Sequence, residues 1–199
     1  MRWWTSDLHL GHSNIIGYTG RPFATVEEMN EALVGQWNER VGPDDETWVL
    51  GDFAMGRLAE TLPLAELLHG HKTLVPGNHD RPWSGHSKGV DRWRSTYLEA
   101  GFDEIVAGPI TTTIGSVEVL VDHFPYRGDS RDEDRYVERR PVDRGGWLLH
   151  GHVHERWRQN GRQINVGVDA WAGRPVSDDE VAALLSAGPG DLPPRPWPG

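Results

Sequence analysis

A chain of 199 residues has room for one domain with a substantial core. Its 20 basic and 30 acidic side chains give a formal charge of −10, so it offers no general surface for a long polyanion. Cysteine is absent, which excludes disulfides, thiolate metal sites and cysteine nucleophiles. The opening MRWWTSDLHLGH is too short and too polar for a secretory signal, and no apolar run approaches a membrane span. A soluble, cytoplasmic protein with no membrane partner is the expectation. Of the 10 tryptophans, several flank polar motifs and could wall a pocket.

Residues 1–6 read as a short strand and residues 7–14 as a polar, glycine-containing loop. Thr25 with Glu28 forms a capping box, opening a helix to about residue 40 with Val26, Met29, Leu33, Val34 and Trp37 near helical spacing. GPDD ends that helix, and TWVLGD is a strand closing on Gly51-Asp52. Residues 58–68 are helical in pattern, but Pro63 divides them into two short pieces. KTLV is the next strand and runs into PGNHD; residues 91–100 read as a helix. Residues 109–114 and 117–121 alternate β-branched side chains about Gly115-Ser116, the pattern of a tight hairpin. Residues 127–144 form a loop holding 6 arginines and 6 acids, in ordinary cases a solvated one, though its place also suits a lid. GWLLH is a strand ending in GHVH, residues 162–166 are another, and residues 177–187 are the last helix. A single domain over residues 1–187 is expected. The Pro-rich tail of residues 188–199 should join neither helix nor sheet.

One pattern recurs along the chain. Asp7 and His9, Gly51-Asp52, Asn78-His79-Asp80, Asp122-His123, and His152 and His154 each follow a predicted strand. Strand C-termini at one edge of a sheet are where α/β proteins place ligands. The donors are nitrogen and oxygen with no sulfur, which suits Mn, Fe, Zn, Co or Ni and disfavours Cu(I). Asp7, His9, Asp52, Asn78, His123, His152 and His154 are too many ligands for one ion but natural for two that share a carboxylate.

In this order, DLH, GD, GNHD, a histidine before a proline-containing loop, and GHVH resemble the calcineurin-like metallophosphoesterase family. TSDLHLGHSNI and INVGVDAW look like its compact prokaryotic and phage branch. The resemblance implies a metallo-dependent phosphatase fold of the α/β (α+β) class, a four-layer sandwich of two mixed β-sheets flanked by helices. It also implies one metal held by Asp7, His9, Asp52 and His154, and a second by Asp52, Asn78, His123 and His152, with Asp52 as the bridge. In that scheme His79 faces the substrate phosphate and Asp80 orients His79.

Two divalent ions, manganese foremost, would keep the site cationic inside an acidic protein and draw a phosphate to it. The function expected is hydrolysis of phosphodiesters or phosphomonoesters of small substrates, nucleotides among them, by a hydroxide that a dinuclear centre activates, with no covalent intermediate. Loss of His79 would cost ~10²–10⁴ in rate. The alternatives are a nuclease acting on DNA or RNA, against which the charge weighs, and a non-enzymatic scaffold of the same fold, against which the intact ligand set weighs.

Other residues have plainer readings. His69, His71 and His86 belong at the surface or in caps, and His150 should be buried behind the ligands. His12 could touch substrate or cap the SNII turn, and Arg127, just after DHFPY, could meet phosphate. Arg21 reads as a solvated charge, and Asn165 and Asp169 as turn chemistry, with orientation of the ligand-bearing loops as the alternative.

Overall fold

The computed structural model describes residues 1–86 and 89–198. In chain order its elements are β1 (Arg2–Thr5), α1 (Ser13–Thr19), α2 (Val26–Asn38), β2 (Glu46–Val49), α3 (Leu58–Thr61), β3 (His71–Leu74), α4 (Val90–Glu99), β4 (Glu104–Ile105), β5 (Ile110–Ile114), β6 (Val117–Val121), β7 (Trp147–His150), β8 (Gln159–Gly161), β9 (Gln163–Asn165), β10 (Val176–Ser177), α5 (Asp178–Ala187) and β11 (Gly190–Leu192). They build two mixed sheets flanked by helices, the α/β sandwich the sequence led us to expect. The five-stranded sheet has the order β10-β1-β2-β3-β4, and the six-stranded sheet β11-β8-β9-β7-β6-β5.

Strand period sets the layers. Trp3, Val49 and Leu74 leave the first sheet on one face, Trp4, Leu50 and Val75 on the other. The first set packs under α2, whose Met29, Leu33 and Trp37 fall on one stripe, and beside Tyr97 of α4. The second set meets Val119, Val121, Leu149 and Ile164 from the other sheet, so this cluster glues the sheets together. Each such fully buried side chain contributes about 1.5–3 kcal/mol.

Thr25 accepts from the Glu28 amide at the start of α2, as the capping box required. Pro63 ends α3 and starts a 3-10 turn, Leu62–Leu67, which makes the two short pieces expected. The hairpin is in place, with Ile114 paired to Val117. Ser177 and Glu180 form the full reciprocal capping box at α5, whereas at α2 the Glu28 carboxylate accepts the Ala24 amide in place of that of Thr25.

Two expectations fail. Helix α1 takes in Ser13 and Asn14 from the loop read over residues 7–14 and runs on through residues 15–19, for which no element was read; its entry has no side-chain cap, and its legible signal is Gly20 at φ 68, the left-handed stop. The tail is not free of the sheet. β11 pairs antiparallel with β8, Gly190 opposite Gly161, because the prolines flank those three residues rather than interrupt them. Trp197 then meets Phe23 edge-on at 5.6 Å. Gly199, the last residue of that tail, lies outside the described residues.

Topology matters most for the site. β1, β2 and β3 run parallel in one sheet, and β6, β7 and β9 run parallel in the other. Their ladders continue past the strand ends: Asp7 N–H donates to Gly51 O, and Gly151 N–H to His123 O. Val168 N–H donates to Ser6 O and so stitches one sheet to the other. All these C-terminal ends gather at one rim.

Candidate metal centre

That rim brings the expected donors together. Asp7, His9, Asp52, Asn78, His123, His152 and His154 are all buried. Donor atoms of Asp7, His9 and His154 lie within 4.8 Å of one another, as do those of Asp7, Asp52 and His123. These groups can hold a metal ion. Asp52 Oδ2 sits 3.7 Å from His9 Nε2 and 3.6 Å from His123 Nε2, between the two groups as a bridging ligand should. Asp7, expected in one group, belongs to both. Asn78 Oδ1 is 3.2 Å from His123 Nε2.

The backbone is bent to achieve this. Among the described residues, non-glycine residues at positive φ are Asp7, His9, Asp52, Tyr136, His152, His154 and Ala172, so five of the seven are candidate ligands. Each such conformation costs on the order of 1–3 kcal/mol and persists where packing holds it. Glycines give the room: a Cβ on Gly77 would strike Asp52 Oδ1 and His123, and one on Gly151 would strike Ser6 Oγ and Asp7 Oδ2.

Hydrogen bonds fix which nitrogen each imidazole offers. His123 Nδ1 lies 2.7 Å from Leu50 O, so it carries the proton and Nε2 keeps its lone pair. His154 Nδ1 donates to Asp169 Oδ2 at 3.0 Å, again leaving Nε2. His152 is reversed: Nε2 donates to Asp129 Oδ2 at 2.9 Å, leaving Nδ1. Carboxylate-backed imidazoles of this kind are the usual form of a histidine that binds metal. Asp7 Oδ1 and His9 Nε2 are buried and have no hydrogen-bond partner among the described residues. An oxygen and a nitrogen left unmatched side by side fit a cation, and nothing else in the cluster satisfies them.

Charge is consistent with that reading. Burial pushes Asp7 up, and holds Asp52 up at about 7. Burial likewise depresses His9 and His123. His154 is the exception: burial opposes its charge, but the Asp169 hydrogen bond and the Asp7 carboxylate prevail and lift it to about 9. A cluster that disfavours its own ionised carboxylates without positive charge is one a bound cation would relieve.

His79 and His12 sit where substrate would arrive. A cleft of about 470 Å³ is lined by His9, His12, Asp52, Asn78, His79, His152 and His154, with Tyr18, Arg131 and Arg135 among its other walls. His79 is exposed there, its ring 5.4 Å from that of His9, and its amide donates to Asp52 Oδ1 at 2.8 Å. His12 occupies the N-cap position before α1 but its side chain makes no cap bond; its ring lies 5.5 Å from that of His9.

Several readings need correction. Asp80 does not orient the His79 ring. Its carboxylate accepts the amides of Asp52 (2.7 Å), Phe53 (3.1 Å) and Gly77 (2.9 Å), tying the β2 and β3 loops together. Arg127 is exposed and lines a separate pocket with Asn160 and Gln163, because the chain turns outward after Tyr126. Arg21 is not solvated but buried, with two bonds to Asp169 at 2.8 and 2.9 Å. Asp169 lies in the 3-10 turn Val168–Ala170, but its carboxylate also holds His154. Asn165 donates to His154 O and Trp157 O, and Gly167 N–H donates to it. His150 is buried behind the ligands, as expected. Asp129 and Arg135, hidden in the charged loop, escaped notice because one acid among 6 carries no local signature.

No family model matches the chain. The gene 66 protein of Mycobacterium phage L5 is 36% identical over 196 residues, covering 92% of this chain and 93% of that protein. The gene 66 protein of Mycobacterium phage D29 is 38% identical over 196 residues, covering 92% and 95%. Among solved structures, a protein of unknown function from Aquifex aeolicus matches with TM-score 0.69 and 27% identity, over 92% of this chain and 98% of that one. Among the described residues no helix is long and apolar enough to cross a membrane.

Proposed function

For a chain that belongs to the family of the gene 66 proteins of mycobacteriophages L5 and D29, whose names carry no activity, we propose a metal-dependent phosphoesterase of the calcineurin-like type. The observation that carries this reading is the convergence of strand ends from both sheets on one nitrogen and oxygen cluster in which Asp7 Oδ1 and His9 Nε2 have no partner among the described residues.

In this reading Asp7, His9, Asp52 and His154 hold one divalent ion, and Asp52, Asn78, His123 and His152 a second, manganese being the first choice for such donors. Bound cations would supply positive charge for phosphate oxygens and acidify a water. The chain does the rest. Asp129 and Asp169 keep the imidazole protons on the nitrogens turned away from the centre. Asp80 holds the loop that carries His79. Partial desolvation at the cleft wall lowers His79, though its outer edge is exposed, so near neutral pH the neutral ring would donate one N–H to a phosphate oxygen, and only its protonated form could pass a proton to the departing alkoxide. The aliphatic hydroxyls facing the cleft are otherwise engaged: Ser130 donates to Asp129 and Thr19 to Ile15 O. Neither has an imidazole base, which favours direct displacement by water over a phospho-enzyme.

Arg131 and Arg135 at the cleft leave room for a polynucleotide, but the net charge of −10 favours small phosphoesters, nucleotides included. The test is a panel of monoesters, diesters, cyclic nucleotides and oligonucleotides with Mn²⁺, Zn²⁺ or Ni²⁺, before and after chelation. Chelator-sensitive turnover of a small ester supports the reading. Stoichiometric metal without turnover of any ester would leave a scaffold.

A further inference from the structure

Residues 127–144 look like a solvated, charge-balanced loop, yet Asp129 within it is 2% exposed. Its carboxylate accepts Arg135 Nε at 3.0 Å and Nη2 at 2.6 Å, Arg140 Nη2 at 3.1 Å, and the amides of Arg131 and Arg135 at 3.2 and 3.0 Å. The same carboxylate accepts His152 Nε2. Arg140 is spent internally, also donating to Gly128 O and Arg135 O. Arg135 is not: its side chain is 31% exposed, it faces the cleft beside Asn78 and His79, and its Nη1 makes no hydrogen bond among the described residues. Arg140 is paired with Asp134 as well, at 3.4 Å, so the two arginines and two aspartates balance, and what Arg135 offers the cleft is a charged group with an N–H still free to bond. After burial, the largest influence, Arg135 is among the charges acting on Asp52, His79 and His152.

We propose that Asp129 is a positioning residue that locks the charged loop onto His152 and presents Arg135 to a phosphate oxygen of the substrate. One buried carboxylate then sets both the donor nitrogen of a metal ligand and the geometry of the anion-binding arm. A guanidinium already fixed through Nε and Nη2 loses little freedom when Nη1 takes an oxygen, which is the advantage of arginine over lysine here. This inference rests on the phosphoesterase reading above, and Arg135, not Arg127, is the arginine of this loop that meets the substrate.

The experiment uses the full chain loaded with Mn²⁺, comparing wild type with R135Q, R135K, D129N and, as a control from the same loop, R127Q. Metal equivalents, kcat and KM for the best ester, and the Kd of inorganic phosphate are measured for each. R135Q should keep its metal and raise KM and the phosphate Kd roughly 10–100-fold, with R135K recovering part of the loss. D129N should show that same defect and in addition bind metal about 10–100-fold more weakly. R127Q should match wild type. Hydrolysis and phosphate binding unchanged in R135Q would overturn the arm and leave the hydrolase standing. Phosphate binding that depends on Arg135 without turnover of any ester would sink the hydrolase and keep the arm. R135Q and R135K leave Asp129 its bonds to His152, Arg140 and the loop amides, so the comparison holds even where D129N folds poorly; metal loss without a phosphate defect in a folded D129N would refute the coupling.

Discussion

His154 and His152 are two residues apart, and each is backed by a buried aspartate that is itself clamped by arginine, yet the pairs behave in opposite ways. Asp169 takes His154 Nδ1 and a single arginine, Arg21, with both charged side chains fully buried. Asp129 takes His152 Nε2 and two arginines, one of them partly exposed. His154 is lifted to about 9, whereas burial, opposed by Asp129, leaves His152 at about 3. The difference teaches that a backing carboxylate does not set an imidazole's basicity alone: His154 has the Asp7 carboxylate as a second negative neighbour, whereas His152 has burial and the nearby His123 and Arg135 against it. The first pair lies wholly in the interior, with Asp169 on a short 3-10 turn. The second hangs on an irregular loop and reaches into the cleft.

The largest effect should come where the two arms meet. Asp52→Asn removes the carboxylate between His9 and His123, and metal analysis should find neither ion at full occupancy and no turnover. Two equivalents retained there would mean the arms do not share a centre. His79→Ala should leave both arms and the metal content intact while lowering kcat by ~10²–10⁴, which separates binding from chemistry. Unchanged kcat would make His79 a bystander. Asp169→Asn should destabilise the fold by ~3–5 kcal/mol, because Arg21 is left charged and unpaired in the interior. Asp129→Asn should cost less, ~1.5–3 kcal/mol, since Arg135 can turn to solvent. Denaturant unfolding ranks the two, and equal losses would end the distinction between an interior and a loop-borne arm.

The smallest effect is on pH. In the metal-free protein burial holds Asp52 up at about 7, and His154 stands at about 9. Each keeps a proton below its value, and a cation must displace it. Metal affinity should therefore rise as pH climbs from about 6 to about 9, with protons released to the buffer. Calorimetry in buffers of different ionisation enthalpy counts them. Affinity flat over that range would mean that neither group is a ligand.

Much of this was legible in the chain. The donors could be read because each stands just past an apolar strand, and strand ends are strong local signals: WVLGD and LVPGNHD announce both the β-run and its polar tip. The Gly115-Ser116 turn and the Thr25 cap were equally plain. What stayed hidden was long-range. β4 and β10 have 2 residues each and β11 has 3, and such pieces become strands only when a neighbour supplies the ladder. Arg21 lies 148 residues from Asp169, and nothing local distinguishes its burial from that of any exposed arginine. Asp129 is 23 residues from His152, inside a run where every acid looks alike. Asp80 was seen as polar and site-bound, but its partners are three amides and the distant Tyr97 hydroxyl, and such partners leave no local trace in a sequence.

The left-handed backbone at Asp7, His9, Asp52, His152 and His154 has a further consequence. Conformational cost is concentrated along one edge of an otherwise ordinary sandwich, so thermal opening should begin at that edge and not at the helices. An ion gripping those donors acts as a rivet through the weakest seam. Amide hydrogen exchange at residues 7–10, 51–53 and 151–154 should be fast in chelated protein and slow markedly on loading, while Leu33 and Val119 exchange alike in both states.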